Sequence, residues 1–460
     1  MNLSRFSIAL LAVSDLLHAA AVRIALDPAT VLTPIANDFI GFGYETSAVA
    51  RTDFLSAQNL QMVQLYRTLS LHGLVRIGGI IGDHTRYEPE GRPVAQTMKG
   101  TTVINQAVLA DLGGFLRATG WKALWTFNLG TGTKSEAGLE AVAVSAALGD
   151  RLDSFEIGNE VDNLKRFKNY AEYHAAYLDY KAAIRAVLPA AVFAGPDTTG
   201  RPNDWVVKFA QTEANDLKLL ITHYYCAGAK SPAATVETML ASDYRLDSRL
   251  QTLRATGAAR NLAFRINEVN SFSGGGKPEV SDTFASALWV LDFMYRVAVH
   301  GGAGVNLETD VNQLGFISHY SPIFRNEDGG LTARPEYYGM LAFALAGQGS
   351  LIKISASKLS INLTAYATKN SDGIIWVTII NKDLARAANA ALAMPAGCTT
   401  AEAYRLTALS PQSKGDVTLA GAQITSQGAY TPGATEQIPV VRGTAKFTLP
   451  AASAVVVRLS

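Results

Sequence analysis

Short apolar or β-branched runs recur along the chain, and helical patterns separate them. The strand candidates are Ile40 to Glu45, Leu74 to Gly79, Lys122 to Asn128, Ser154 to Asn159, Val192 to Pro196, Lys218 to Tyr225, Ala263 to Asn267 and Gly304 to Glu308. Strands that alternate with helices build a parallel sheet covered by helices. Eight such units in succession predict an α/β fold, a closed (β/α)8 TIM barrel. One intervening helix is clear, because Tyr170, Tyr173, Tyr177, Tyr180, Ile184 and Val187 keep three/four spacing until Pro189 ends the pattern. This tyrosine stripe predicts packing against the barrel rather than a ligand box. A second helix is predicted to start near the cap residues Ser281-Asp282, with Phe284, Leu288, Leu291 and Met294 or Tyr295 on one face.

After about residue 350 the period changes from helical to alternating. Ile361 to Tyr366, Ile374 to Ile380 and Ala454 to Leu459 read as strands, with turns such as Asn370-Ser371-Asp372-Gly373 between them. Val22, Ile24 and Leu26 alternate in the same way near the start. The predicted layout is a catalytic barrel over 35–345 and a smaller all-β accessory domain, a β-sandwich. The sandwich is formed mainly by the C-terminal segment, from 346–460 with 22–34. Residues 1–21 read as a signal segment, with Arg5, an apolar run from Phe6 to Val13 and the small residues Ala19-Ala20-Ala21, although Asp15 interrupts it. Its cleavage would make the protein secreted or periplasmic; otherwise it is cytoplasmic.

Charge narrows the partners. The 460 residues carry 40 basic and 39 acidic side chains, a net charge of +1, which advertises neither a nucleic-acid surface nor a stable membrane association. Cys226 and Cys398 do not suggest a disulfide framework, and the histidines form no metal-ligand spacing. No metal and no cofactor are expected, and the oligomeric state is not legible.

Two carboxylates stand out by position. Glu160 ends the fourth strand candidate, in Phe155-Glu156-Ile157-Gly158-Asn159-Glu160, and Glu268 ends the seventh, in Phe264-Arg265-Ile266-Asn267-Glu268. Residues at the C-terminal ends of barrel strands point into the active site, and strands four and seven face each other across the mouth. Two carboxyls there are the equipment of a retaining glycosidase, one protonating the leaving oxygen and the other attacking the anomeric carbon. That reading predicts a separation of about 5 to 5.5 Å. Asn159 is placed to hydrogen-bond a sugar 2-hydroxyl. The sixth strand ends in Thr222-His223-Tyr224-Tyr225, which puts His223 and Tyr225 at the mouth, where a tyrosine hydroxyl can hold the nucleophile ionised. Gly274-Gly275-Gly276 after Glu268 lacks phosphate-loop spacing but can present backbone amides to an anion.

At these residues the chain resembles the heparanase and β-glucuronidase family, glycoside hydrolase family 79. The resemblance rests on Phe155 through Glu160, on His223-Tyr224-Tyr225, and on Glu268 through Gly276 followed by Ser281-Asp282-Thr283-Phe284-Ala285. It implies Glu160 as acid/base and Glu268 as nucleophile. It also implies that the Gly274-Gly275 backbone and Tyr320 bind a uronic acid carboxylate, and that Glu45 and Asp83 meet sugar hydroxyls. Val161 stands where the family usually has proline, and Ser273 where a tyrosine is common. The expected activity is exo-acting hydrolysis of β-D-glucuronides with retention. An endo-acting heparan sulfate hydrolase is the runner-up; Lys165, Arg166 and Lys168 could supply part of the basic cleft it needs, but they read first as an ordinary solvated loop. A non-catalytic carbohydrate-binding protein is the third reading.

Overall fold

The computed structural model describes residues 20–95, 100–201, 204–311, 317–357 and 360–460. The signal-segment expectation for 1–21 lies outside them, except for Ala20 and Ala21, which open a strand. Eight parallel strands form a closed barrel: β1 (Gly41–Glu45), β2 (Leu74–Gly78), β3 (Lys122–Phe127), β4 (Leu152–Ile157), β5 (Phe193–Thr198), β6 (Leu217–Gly228), β7 (Ala263–Ser273) and β8 (Val305–Glu308). Their order around the barrel follows the chain, with β8 pairing back to β1 through Leu307 and Phe42. All eight strands read from the apolar runs are present. The seventh runs past Asn267 to Ser273, because Asn270, Phe272 and Ser273 stay in register with Tyr225, Ala227 and Gly228 of β6.

The tyrosine helix spans Tyr170–Val187 and buries Tyr173, Tyr177, Tyr180 and Ile184, as a packing stripe should. Val187 falls off the stripe and is exposed. The later helix is Phe284–Val299, with Thr283 rather than Ser281 or Asp282 at the N-cap position and its hydroxyl turned to the Val280 carbonyl. Ser281 is unavailable as a cap because its hydroxyl takes the Lys277 amide at 2.9 Å and meets the Ser271 hydroxyl at 2.8 Å.

The all-β unit is one curled sheet. In spatial order its strands include Ala401–Thr407, Ser453–Leu459, Ile375–Asn381, Leu363–Lys369, Ser350–Ala356, Ala20–Pro34, Ala388–Ala393 and Thr444–Leu449. Ala20–Pro34 lies within this path, antiparallel to Ser350–Ala356 and parallel to Ala388–Ala393. Val22, Ile24, Ala403, Leu449 and Val457 share one apolar cluster although their strands are far apart in the sheet, so the sheet wraps around its own core. Barrel and sheet are joined by a buried polar contact. Asp292, on Phe284–Val299, meets Lys382 at 2.6 Å and accepts hydrogen bonds from Thr364 and Tyr366. Beside it Tyr295 stacks on Tyr366 at 4.6 Å between ring centroids. Among the described residues no helix is long and apolar enough to cross a membrane.

Candidate active site

The polar core of the barrel mouth is built on Arg76, a fully buried arginine in the middle of β2. An unpaired cation there would be prohibitively costly, so carboxylates from β4, β5 and β7 reach it through the barrel interior. Its Nη2 donates to Glu156 Oε1 and Asp197 Oδ2, each at 2.9 Å, and to Asn159 Oδ1 at 2.7 Å. Its Nη1 donates to Glu268 Oε2 at 2.7 Å. Burial would strip its proton, but Glu156, Asp197 and Glu268 together hold it firmly cationic. Burial pushes Glu156 up to about 8. Burial also pushes on Asp197, yet His223 and Arg76 outweigh it and keep that carboxyl below the usual carboxylate range.

Glu160 lies just beyond β4. The chain turns sharply there, with Gly158 at φ +85° and Glu160 itself at +43°. A Cβ on Gly158 would also come within 2.7 Å of Leu129, so both conformation and packing demand glycine. The turn presents the Glu160 carboxyl to the cleft with 24% of its side chain exposed. Glu268 is 12% exposed. Its Oε1 accepts from the Tyr225 hydroxyl at 3.0 Å, which with Arg76 fixes both oxygens. His223 is fully buried between the two acids. Its Nε2 faces Asp197 Oδ1 at 2.7 Å, and its Nδ1 lies 3.5 Å from Glu160 Oε1 and 3.4 Å from Glu268 Oε1. One ligating atom from each of Glu160, His223 and Glu268 falls within 4.8 Å of the others. Burial pushes Glu160 up, but the pull of His223 more than offsets it and leaves the carboxyl below its ordinary value. Burial works against charge on His223, but Asp197, Glu268 and Glu160 raise it well above the usual imidazole value.

The glycine run is left-handed throughout, with φ of +83°, +86° and +82° at Gly274, Gly275 and Gly276. The Gly275 carbonyl accepts from the His319 amide at 2.6 Å and the Tyr320 amide at 3.3 Å, tying the loop to the Tyr320 segment. Among the described residues the amides of Gly274 and Gly275 have no backbone acceptor. Tyr320 is buried and stacks on Tyr225 at 6.4 Å. The Gly315-Phe316 part of its motif lies outside the described residues. Glu45, at the end of β1, accepts from the Ile81 amide at 2.7 Å, and burial with the nearby Glu268 charge pushes it up to about 8. Asp83 commits its oxygens to the amides of Leu129 and Gly130, at 3.0 Å each, and of Asn159, at 3.4 Å. It therefore braces the ends of β3 and β4.

Arg76, Glu156, Asp197 and Glu308 were not singled out from the sequence. Glu308 ends β8 fully buried, and neither of its oxygens has a hydrogen-bond partner. Burial and the charges of Glu268 and Glu45 raise it well above the usual range. The available signal was a charged residue inside an apolar strand, as in Leu74-Val75-Arg76-Ile77-Gly78.

No family model matches the chain. It is 25% identical over 407 residues to a β-glucuronidase of Aspergillus niger, covering 77% of this chain and 73% of that one. A β-glucuronidase of Neurospora crassa is 24% identical over 429 residues, covering 78% and 75%. By sequence the chain is similar to these two β-glucuronidases. Among solved structures, a 4-O-α-L-rhamnosyl-β-D-glucuronidase from Fusarium oxysporum superposes with a TM-score of 0.75 at 18% identity, over 94% of this chain and 99% of that one. An α-L-arabinofuranosidase from Thermotoga maritima gives 0.71 at 16% identity, over 95% and 99%. These structures share the fold. Barrel, paired carboxyls and relatives together make the chain a glycoside hydrolase.

Proposed function

We propose that this hydrolase cleaves β-D-glucuronides from a non-reducing end with retention, through a covalent glycosyl-enzyme. The observation that carries the reading is the pair Glu160 and Glu268, with an oxygen of each within 4.8 Å of the other. Retaining enzymes hold their carboxyls about 5 to 5.5 Å apart, whereas inverting enzymes leave about 6.5 to 9.5 Å for a water. Glu268, clamped by Arg76 and Tyr225, attacks the anomeric carbon. Glu160 donates a proton to the leaving oxygen and later takes one from water. In the free site His223 keeps Glu160 as a carboxylate. The proton Glu160 needs is supplied across the 3.5 Å gap from His223 Nδ1. Asn159 already accepts from Arg76, so it meets the sugar 2-hydroxyl as a donor. Glu308, lacking donors of its own, accepts from ring hydroxyls beside Glu45.

A cleft of about 400 Å³ adjoins Glu160 and is lined by Ile80, His84, Leu164 and Lys165. It borders the proton donor rather than the nucleophile, so the leaving group sits there. Lys165 gives it one cation, while Arg166 commits its guanidinium to the Leu129 carbonyl and the Phe167 ring. With a net charge of +1 this favours a small glucuronide over a sulfated polymer.

The carboxylate of glucuronic acid is assigned to the Gly274-Gly275 amides and Tyr320. A glucoside would leave such donors poorly paired, at about 1–3 kcal/mol each. The test is kcat/KM on matched aryl β-glucuronide and β-glucoside. The glucuronide should win by roughly 10² to 10³-fold. A ratio near one would remove the carboxylate pocket from the reading. Retention is read separately: a mechanism-based label should attach to the wild type and not to Glu268→Gln.

A further inference from the structure

The same cleft has the donor set of a transition-metal site. His223 is completely buried, and its Nδ1 has no hydrogen-bond partner. That nitrogen is aimed into the gap between two carboxyls that open to solvent, 3.5 Å from Glu160 Oε1 and 3.4 Å from Glu268 Oε1. Behind the ring, Asp197 takes Nε2 at 2.7 Å. A carboxylate on the back of an imidazole fixes its tautomer and raises its basicity as a ligand, as in carboxylate–histidine–zinc triads. Among the described residues this is the one group of three such side chains whose ligating atoms converge.

The spacing suits zinc. Bonds of about 2.0–2.2 Å put neighbouring corners of a zinc tetrahedron roughly 3.3–3.5 Å apart. Both histidine–carboxylate separations already have that length, and rotation of the partly exposed Glu160 side chain closes the third edge. Glu268 Oε1 accepts one hydrogen bond, from Tyr225, and keeps a lone pair for a metal, while Arg76 occupies only Oε2. Three protein ligands would leave the fourth corner to water.

We propose that Glu160, His223 and Glu268 bind one Zn²⁺, which displaces the Nδ1 proton of His223 to solvent, and that the ion blocks hydrolysis by claiming both carboxylates and the place of the anomeric carbon. The binding stands on geometry alone; only the block rests on the catalytic roles proposed above. Imidazole in the donor set favours zinc over magnesium, which prefers an octahedron of oxygens and keeps its waters.

The experiment is calorimetric titration of zinc chloride into the metal-free full chain without substrate. One zinc per chain is expected, with affinity at least about tenfold weaker in Glu160→Gln and in Glu268→Gln, and no comparable binding of magnesium. These amide variants keep the side-chain shape, and their thermal unfolding verifies that they are folded. Zinc bound equally well by both variants, or not bound by the wild type, overturns the site. A second arm measures hydrolysis of an aryl glucuronide: zinc should raise KM and leave kcat unchanged, and a lowered kcat at constant KM overturns the block. A chain that binds zinc as expected but hydrolyses no glucuronide keeps the metal site and loses the proposed substrate.

Discussion

Among the described residues, the barrel holds two fully buried arginines that solve the same problem in opposite ways. Arg76, at the mouth, is matched by charge, with hydrogen bonds to the carboxyls of Glu156, Asp197 and Glu268. Arg265, lower in the barrel, meets only neutral acceptors: the Asn306 side chain at 2.6 Å and the carbonyls of Asp38, Phe39, Ala303 and Val305. Burial therefore lowers Arg265 to about 10, while the carboxylates raise Arg76 well above its ordinary value. Backbone carbonyls do not move with substrate, so the lower network can act only as a clasp between β7, β8 and the residues before β1. The upper one shares a carboxylate with the cleft, so its charges are coupled to whatever Glu268 binds.

The largest expected effect separates these roles. Arg76→Gln should lower kcat/KM by about 10²-fold or more, because Glu268 and Asn159 lose their common anchor. It should also cost about 3–5 kcal/mol in urea unfolding, since carboxylates stay buried without their partner. Arg265→Gln should cost about 3 kcal/mol through orphaned carbonyls while leaving kcat/KM of the folded protein within about threefold. Comparable losses of activity per folded molecule would collapse the distinction.

Glu308→Gln probes the edge of the upper network. It keeps the shape but replaces a carboxyl oxygen by a fixed NH₂ donor that cannot accept a sugar hydroxyl, so KM should rise by about tenfold with little change in stability. An unchanged KM would take Glu308 out of the sugar site. The smallest effect concerns a buried acid that belongs to neither network. Glu140, on the helix Lys134–Leu148, accepts from Trp125 Nε1 at 2.8 Å, and burial pushes it up to about 8 from an ordinary 4.5. A carboxyl raised in the fold stabilises it below its unfolded value and loses that contribution as pH climbs towards the folded one. Between about pH 5 and pH 8 the wild type should therefore lose about 1 kcal/mol or more relative to Glu140→Gln. Urea unfolding at the two pH values reads the difference, and parallel slopes would contradict it.

What the sequence disclosed and what it hid follow one physical line. Strand positions were legible because a barrel strand is apolar on both faces and punctuated at both ends, and Glu160 and Glu268 were legible as its terminal punctuation. Partners across strands were not. Nothing within Leu74 to Gly78 says that Arg76 will meet Glu156, Asp197 and Glu268, because those contacts depend on closure and stagger. The same holds for Asp83, whose oxygens the chain of β3 and β4 takes up, and for Glu308, whose isolation exists only once Gly43 and β7 are beside it. A Cβ on Gly43 would sit 2.4 Å from a Glu308 oxygen.

The place of the strand Ala20–Pro34 sets a timetable for making the protein. Arg23 bonds Ser357, 334 positions further on, and the parallel partner Ala388–Ala393 is later still. Chain closure of that length adds little to the equilibrium cost, which grows only with the logarithm of the loop. On the ribosome it is a delay. At roughly 5–20 residues per second, the first strand waits about 20–70 s for its neighbours, alternating and unpaired at both edges, while the whole barrel is synthesised and can fold behind it. Such an edge recruits strands from other nascent chains. Yield on expression should therefore depend on translation rate and on chaperones far more than the barrel's own stability would suggest.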